Sequence, residues 1–159
     1  EQSPTKIKIT NNKSKVKFVM NSGILISKVI DGRFPDYSKV VPRDNSKTLK
    51  IKLNEFKTSI ERVTTVSADK KEGLRMSIKK DSLQLSVNSP NSGEGVENVS
   101  ANFNSEDMNI SFNSRYLIDI ASQIEDENII MNLNEPGSPV LIKDLSDKLS
   151  FHVVMPMKI

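Results

Sequence analysis

The sequence predicts an α+β protein in which two short helices lie on one face of antiparallel sheets, in an internally two-fold arrangement. Three observations predict this class. Apolar and polar residues alternate with period two through much of the chain, two segments carry apolar residues at helical spacing, and the order of these elements repeats. Period-two alternation is typical of strands with one face on a core and the other in solvent, as antiparallel sheets commonly have.

The predicted strands begin near the N-terminus. Five segments alternate most clearly, and each is interpreted as a half-buried strand. They are residues 6–9, 15–20, 49–53, 83–87 and 108–112. Asn11-Asn12 and Asn21-Ser22-Gly23 punctuate the earliest segments and favour turns.

The first predicted helix follows Asn54, a residue type that favours N-caps. Phe56, Ile60 and Val63 recur at helical spacing behind it. Residues 55–66 are therefore predicted to be helical, with Asn54 as the N-cap.

A second helix is predicted to start at Asn113 or Ser114, either of which can cap it. Its apolar stripe comprises Tyr116 or Leu117, Ile120, Ala121 and Ile124. Both predicted helices are short and amphipathic.

The elements after residue 47 come in a repeated order. A strand and the first helix are followed by strands at about 74–79, 82–89 and 95–103. A strand at 107–112 and the second helix are followed by strands at 128–134, 139–143 and 150–156. A β-α-β-β unit therefore occurs twice with a strand to spare, which predicts an internally two-fold domain.

The N-terminal part of the chain supplies strands without a helix. Residues 1–31 carry three of them, and residues 31–45 are rich in Gly, Pro and Asp, which is typical of a turn and linker. We expect residues 1–42 to be the last strands and linker of a truncated domain and residues 43–159 to form a complete one. A start at Glu1, without Met or a signal-peptide pattern, is expected of a sequence that begins inside a longer chain.

Charge divides unevenly along the chain. Lys and Arg outnumber the acidic residues in the first third, and acidic residues outnumber Lys and Arg in the rest. A basic part followed by an acidic one is compatible with nucleic-acid contact on one side, and solvated surface lysines are the alternative. The lack of Cys excludes disulfides and thiol nucleophiles and is consistent with a cytoplasmic location.

The sequence offers little from which to build an active site. His152 is the only His and falls in a predicted strand, so neither a Ser-His-Asp triad nor a His metal cluster is expected. Gly93-Glu94-Gly95 is interpreted as a hairpin loop and not as a phosphate-binding motif. We predict no catalytic residue, no metal ligand and no cofactor.

Two segments are more specific than these patterns. They are DGRFPDY at residues 31–37, with VP at 41–42, and VVMPMKI at 153–159. Together they resemble the bacterial DNA sliding clamp family, the β subunit of DNA polymerase III, in which the first marks the end of the middle domain and the second the chain terminus. FNSRYLID at 112–119 and PGSPV at 136–140 are similar to the family's helix entry and following loop, so the resemblance covers the whole chain.

The resemblance implies a C-terminal fragment of a clamp subunit. Residues 1–42 would be strands and linker of a truncated middle domain, and residues 43–159 a complete C-terminal clamp domain. Family members are processivity factors, non-catalytic subunits of a DNA-directed DNA polymerase holoenzyme, which form head-to-tail homodimeric rings around duplex DNA. Their implied partners are duplex DNA, bound irrespective of sequence, and the replicative polymerase and clamp-loader subunits, bound through short Gln/Leu/Phe motifs; no membrane partner is implied.

The resemblance also implies a peptide-docking groove. Its residues would be Pro35, Lys39, Val40, Asn113, Tyr116, Ser138, Pro139, Val140, Val153, Met155, Pro156 and Met157. Flexible, polarizable methionines suit such a groove because they repack around varied apolar ligands, although they also suit the core of a last strand. Lys39 departs from the family, which often has Arg at this position, and His152 and Pro139 depart as well.

Candidates for DNA and subunit contact are weaker. Those for DNA are Lys57, Arg62, Lys70, Lys71 and Arg115, which would contact phosphates. Neither helix has a purely basic face, since Glu55, Glu61 and Asp119 lie on them, and a solvated mixed-charge surface is the alternative. Thr65 and Val66 are implied at the dimer contact.

Two other function classes remain open at this point. A β-rich structural or adhesin-like binding domain unrelated to DNA is supported by the number of strands and the Asn and Ser content. A metal-dependent nuclease rests on the acidic residues at 106–107 and 125–127, which solvated turn carboxylates explain equally well.

Overall fold

The computed structural model describes residues 6–67 and 73–158. The chain divides into two compact units, Glu1–Asp36 and Tyr37–Ile159. The first unit is an antiparallel meander of β1 (Lys8–Asn11), β2 (Lys15–Met20) and β3 (Gly23–Lys28). Asn12 makes the first turn, because its Oδ1 accepts hydrogen bonds from the amides of Ser14 at 3.0 Å and Lys15 at 2.8 Å.

The second unit opens with a 3-10 turn, Tyr37–Lys39, and its described residues form eight strands and two helices. The elements are β4 (Lys47–Lys52), α1 (Leu53–Val63), a 3-10 turn (Thr64–Val66), β5 (Gly73–Lys79), β6 (Ser82–Ser89), β7 (Gly93–Phe103), β8 (Met108–Asn113), α2 (Ser114–Ala121), β9 (Asn128–Leu133), β10 (Val140–Lys143) and β11 (Phe151–Val154). All strand pairs are antiparallel, in the order β11-β10-β9-β4-β7-β6-β5-β8.

The second unit is built from two equivalent halves. β4-α1-β5-β6-β7 and β8-α2-β9-β10-β11 have the same order of elements. The pairing is reciprocal, since β4 lies beside β9 and β8 lies beside β5. Each half therefore contains the predicted β-α-β-β unit followed by one further strand, which is β7 in the first half and β11 in the second.

One hydrophobic core joins the strands to both helices. Alternate residues of the strands are buried, among them Leu49 and Ile51 of β4. α1 adds Phe56, Ile60 and Val63 to the same cluster. α2 adds Leu117, and Ala121 is buried beside it. Both helices thus pack on the apolar face of antiparallel sheet, which confirms the predicted fold class.

The first helix starts earlier than its sequence indicates, and the predicted N-cap is wrong. Lys52 occupies the N-cap position with extended backbone (φ −67°, ψ 122°), and Asn54 lies inside the helix. The reason is a contact distant in sequence: the Leu53 amide donates to the carbonyl oxygen of Glu127 at 2.9 Å. A backbone acceptor thereby replaces a side-chain cap.

The second helix begins as predicted. Asn113 is its N-cap, and the side-chain Oδ1 accepts a hydrogen bond from the Arg115 amide at 3.0 Å. This bond satisfies one of the amides that the first turn of a helix leaves without an intrahelical partner.

The glycines at 93 and 95 are not a hairpin loop, which corrects the sequence interpretation. Both belong to β7, and Gly95 pairs with Val87 of β6. Gly93 follows the turn with a left-handed φ of 98°, a conformation that suits glycine. Gly95 is needed for space, since a Cβ there would lie 2.7 Å from the carbonyl oxygen of Val63.

No helix within the described residues is long and apolar enough to cross a membrane.

Candidate functional site

An open apolar cavity lies between α2 and β11. Its volume is about 360 Å³. The lining residues are Tyr116, Asp119, Ile120, Val153, Val154 and Met155. Five of these six side chains are apolar or aromatic, and Tyr116 and Met155 are 58% and 56% exposed. Exposed large apolar side chains around a concavity are typical of a binding surface.

The cavity lies in the second of the two equivalent halves. α1 and α2 each start directly after a strand, so their residues can be matched by position. The buried apolar residues of α1 correspond to buried residues within α2 or just beyond its end. The matched pairs are Phe56 with Leu117, Ile60 with Ala121, and Val63 with Ile124.

In the first half, a charged cluster bridges the helix and the last strand. Arg62 of α1 binds Glu97 of β7 through two hydrogen bonds, Nε to Oε1 at 2.8 Å and Nη2 to Oε2 at 3.1 Å. Arg62 Nη2 also donates to Ser59 Oγ at 3.1 Å. The pair raises the pKa of Arg62 and lowers the pKa of Glu97, mainly through the hydrogen bonds between them.

The second half has no such bridge within the described residues. By position, Gln123 stands where α1 has Arg62, and Ile120 stands where α1 has Ser59. At these two positions the first half carries a buried serine and a charged arginine, whereas the second half carries an apolar isoleucine and an uncharged glutamine. This difference leaves the space beside β11 open and lined by apolar groups.

The chain after β11 is held in place by β8. The Met157 amide donates to the carbonyl oxygen of Ser111 at 2.7 Å. β11 itself pairs with β10, with Val153 opposite Leu141 and Val154 opposite Val140. Met155 therefore lies between two anchored points, which fixes its backbone while its side chain is exposed.

A second depression of about 540 Å³ lies near the C-terminal end of the described chain. Its lining residues are Arg75, Asn109, Ile110, Ser111, Pro136, Gly137, Met157 and Lys158. Three of the predicted groove residues thus share the first cavity, Tyr116, Val153 and Met155, and a fourth, Met157, lines the second.

The other predicted groove residues of the second unit lie outside both cavities. Lys39 is the last residue of the first 3-10 turn and Val40 follows it, and both are exposed. Val140 is fully buried in the core, and the Pro139 carbonyl oxygen accepts a hydrogen bond from Asn45 Nδ2 at 2.8 Å. The Ser138 amide donates to the Glu135 carbonyl at 2.9 Å, Pro156 is half-buried, and Asn113 caps α2.

Pro35 belongs to the first unit, in which it is exposed. Sequence reasoning missed Asp119, Ile120 and Val154 as cavity residues. Asp119 and Ile120 could have been found, since they follow Tyr116 by three and four positions and so share its face of the helix.

The DNA and dimer candidates have mixed surroundings. Lys57 is half-buried, Arg115 is exposed and Arg62 is held by Glu97. Lys70 and Lys71 lie outside the described residues. Thr65 is exposed and Val66 packs partly against the core.

Across the described parts of the chain, no group of three or more His, Cys, Asp and Glu side chains is placed to hold a metal ion.

These features define a class of protein: an α+β domain with an internal repeat and an apolar surface cavity in one half. The sequence profile of the family described as "DNA polymerase III beta subunit, C-terminal domain" matches residues 38–158. The chain belongs to this family. Membership removes the support for an adhesin-like domain.

Individual relatives support the same family assignment. A beta sliding clamp of Caulobacter vibrioides is 34% identical over 145 residues, covering 91% of this chain and 39% of the relative. That of Escherichia coli K12 is 30% identical over 157 residues, covering 99% of this chain and 42% of the relative. A crystal structure of a Bartonella birtlesii sliding clamp bound to griselimycin is 34% identical, with a TM-score of 0.91 over 96% of this chain and 41% of that one. The chain thus spans about two fifths of the length of these relatives.

Proposed function

We propose that this chain serves in a processivity clamp of DNA replication, a ring that tethers the replicative polymerase to duplex DNA. Membership in the β-subunit family and the relatives named beta sliding clamp support this role. The proposed role is non-catalytic, within a DNA-directed DNA polymerase holoenzyme in the bacterial cytoplasm. In the full-length protein, head-to-tail homodimers would close the ring.

The function assigned to this part of the clamp is peptide docking. The observation that carries it is the apolar cavity formed by Tyr116, Ile120, Val153, Val154 and Met155. Aromatic side chains act as anchors at interfaces, and methionine adapts its shape to different apolar partners. The partners would be short Gln/Leu/Phe motifs of polymerase and clamp-loader subunits.

We extend the groove and the domain assignment beyond that cavity. The additional groove residues would be Pro35, Lys39, Val40, Asn113, Ser138, Pro139, Val140, Pro156 and Met157. Residues 1–42 would be strands and linker of a middle clamp domain, and residues 43–159 a C-terminal clamp domain. The two compact units and the family match over residues 38–158 support the division.

An unpaired strand edge supports the proposed dimer. β7 pairs with β6 over residues 93–100 but with β4 only over 101–103, so the other edge of 93–100 has no strand partner in the described chain. Such an edge can accept a strand from a second subunit. Thr65 and Val66 would lie at this contact, because the turn that carries them packs beside β7.

DNA contact would be independent of sequence and sensitive to salt. Lys57, Arg62, Lys70, Lys71 and Arg115 would supply it. Arg62 is the weakest of these candidates, since its guanidinium is already bound at 2.8 Å by Glu97.

Titration of a fluorescent Gln-Leu-x-Leu-Phe peptide tests the docking function. We expect saturable binding, and Met155→Ala should weaken it roughly 5- to 30-fold because a truncated interface anchor costs more than about 1 kcal/mol. Leu149→Ala is the matched control, since Leu149 is 93% exposed and lies outside the cavity lining. No binding up to about 1 mM, or equal affinity of parent and Met155→Ala, would contradict the proposal.

A further inference from the structure

Among the described residues, Asp119 is the only carboxylic acid on the wall of the α2–β11 cavity. Its neighbours in the lining are Tyr116, Ile120 and the residues at 153–155. The side chain is exposed, and no hydrogen bond or ion pair joins it to another residue in the described ranges 6–67 and 73–158. A full negative charge is therefore available at the edge of an otherwise apolar cavity.

The position of Asp119 in its helix adds to this negative charge. α2 ends at Ala121, so Asp119 lies in the last turn, which contains no basic residue. The carbonyl groups at a helix C-terminus carry a partial negative charge and disfavour acids there. α1 follows the usual preference, with Arg62 in its last turn. An acid at this position is therefore unfavourable for the helix. Such local conflicts are expected at binding sites.

The nearest positive group on the helix does not neutralise it. Arg115 precedes Asp119 by one turn and is exposed, but no ion pair forms between them in the structure. The carboxylate therefore lies at the cavity wall without an ion-pair partner among the described residues.

We propose that Asp119 is a specificity-determining residue, which favours docking peptides that carry Lys or Arg beside their apolar anchors and disfavours acidic ones. The selection rests on the peptide-docking function proposed above. Apolar contacts with Tyr116, Val153 and Met155 would supply most of the affinity. The carboxylate would supply discrimination. Its attraction of a cation and its repulsion of an anion both increase the difference in binding free energy between a basic and an acidic peptide.

Three peptides with the same Gln-Leu-x-Leu-Phe core test the selection, one flanked by Lys, one by Glu and one by Ser. The measured quantity is the ratio of Kd for the Glu-flanked peptide to Kd for the Lys-flanked peptide. In Asp119→Asn this ratio should fall roughly 2- to 10-fold relative to the parent chain, as expected for an exposed charge pair. Asp119→Lys should lower it further, and added salt should reduce the ratio in the parent.

Asp107→Asn is the control, since it removes the same charge from another exposed position. A ratio that falls in Asp119→Asn and is retained in Asp107→Asn supports the proposal. A ratio that is the same in Asp119→Asn and the parent overturns the selection while leaving peptide docking intact. If the Ser-flanked peptide also fails to bind the parent chain, the docking function itself is overturned, and the selection with it.

Discussion

Asp144 shows how one side chain connects the two walls of the cavity. It lies directly after β10 and is only 6% exposed. Its Oδ1 accepts hydrogen bonds from the Ser146 hydroxyl at 2.6 Å and the Ser146 amide at 2.8 Å, and its Oδ2 accepts one from the Glu125 amide at 2.8 Å. The carboxylate thereby ties the loop after α2 to the loop that leads into β11.

These hydrogen bonds make folding stability depend on pH. The bonds from the Ser146 hydroxyl and the Glu125 amide lower the pKa of Asp144 to about 2 in the folded chain. In an unfolded chain the pKa of Asp is about 3.9. Because the folded pKa is the lower one, the stabilisation is fully present above about pH 4 and is lost as pH falls toward 2.

Substitution of Asp144 by Asn should remove this part of the pH dependence. Urea unfolding midpoints of the parent and Asp144→Asn should differ most at neutral pH and converge as pH falls from about 4 to 2. Asp107→Asn, the exposed control, should follow the parent at every pH. A constant difference between parent and Asp144→Asn across this range would show that the carboxylate charge does not carry the stabilisation.

At the scale of the element, β7 depends on the close approach of α1. Gly95 lies under the end of the helix, where the Val63 carbonyl oxygen would be 2.7 Å from an added Cβ. Backbone atoms cannot move aside as a flexible side chain can. The contact is adjacent to Arg62 and Glu97 and lies in the 93–100 segment of β7, one edge of which has no strand partner among the described residues. It would therefore set the spacing of the proposed dimer surface.

Gly95→Ala should therefore destabilise the second unit by about 1–3 kcal/mol, as overpacking of a tight contact does. Chemical denaturation with fluorescence or circular dichroism detection measures the change. Gly137→Ala is the matched control, since nothing lies within 4 Å of a Cβ built at that position. Equal stability of Gly95→Ala and the parent would mean that α1 and β7 can move apart without cost.

The elements themselves were largely predictable from the sequence, for a local reason. Alternation such as that around Leu49 and Ile51 reflects the two faces of a strand, and the cap at Asn113 acts on its own helix. The predicted cap at Asn54 failed because Leu53 bonds to Glu127, a partner that only the folded chain brings near. Gly95 was misassigned for the same reason, since its neighbour Val63 is distant in sequence.

At the scale of the whole molecule, the proposed binding site arises from a difference between the two halves of the internal repeat. The two halves share their element order and three buried apolar positions of the helix segment. They differ on the helix face beside the last strand, where Arg62 and Glu97 bridge one half and Ile120 lines a cavity in the other. The same fold unit thus provides one charged surface and one apolar surface.

The site was less predictable than the fold. Tyr116, Val153 and Met155 were identified only through resemblance to a family, because no local pattern indicates that α2 and β11 are neighbours. Ile120 was predicted as part of the apolar helix stripe, and its partial exposure at the cavity depends on how α2 packs. Asp119 was treated as one of several surface charges, since its placement at the cavity wall is a property of the folded chain.

Residue-resolved amide NMR of the isotope-labelled chain, titrated with the Ser-flanked Gln-Leu-x-Leu-Phe peptide, shows which residues the peptide contacts. Docking at the α2–β11 cavity predicts that the largest shift changes fall on residues 116–120 and 153–155, with smaller changes toward Met157. Changes concentrated on β5 and β6, or a spectrum that does not respond while the peptide binds a clamp relative under the same conditions, would contradict it.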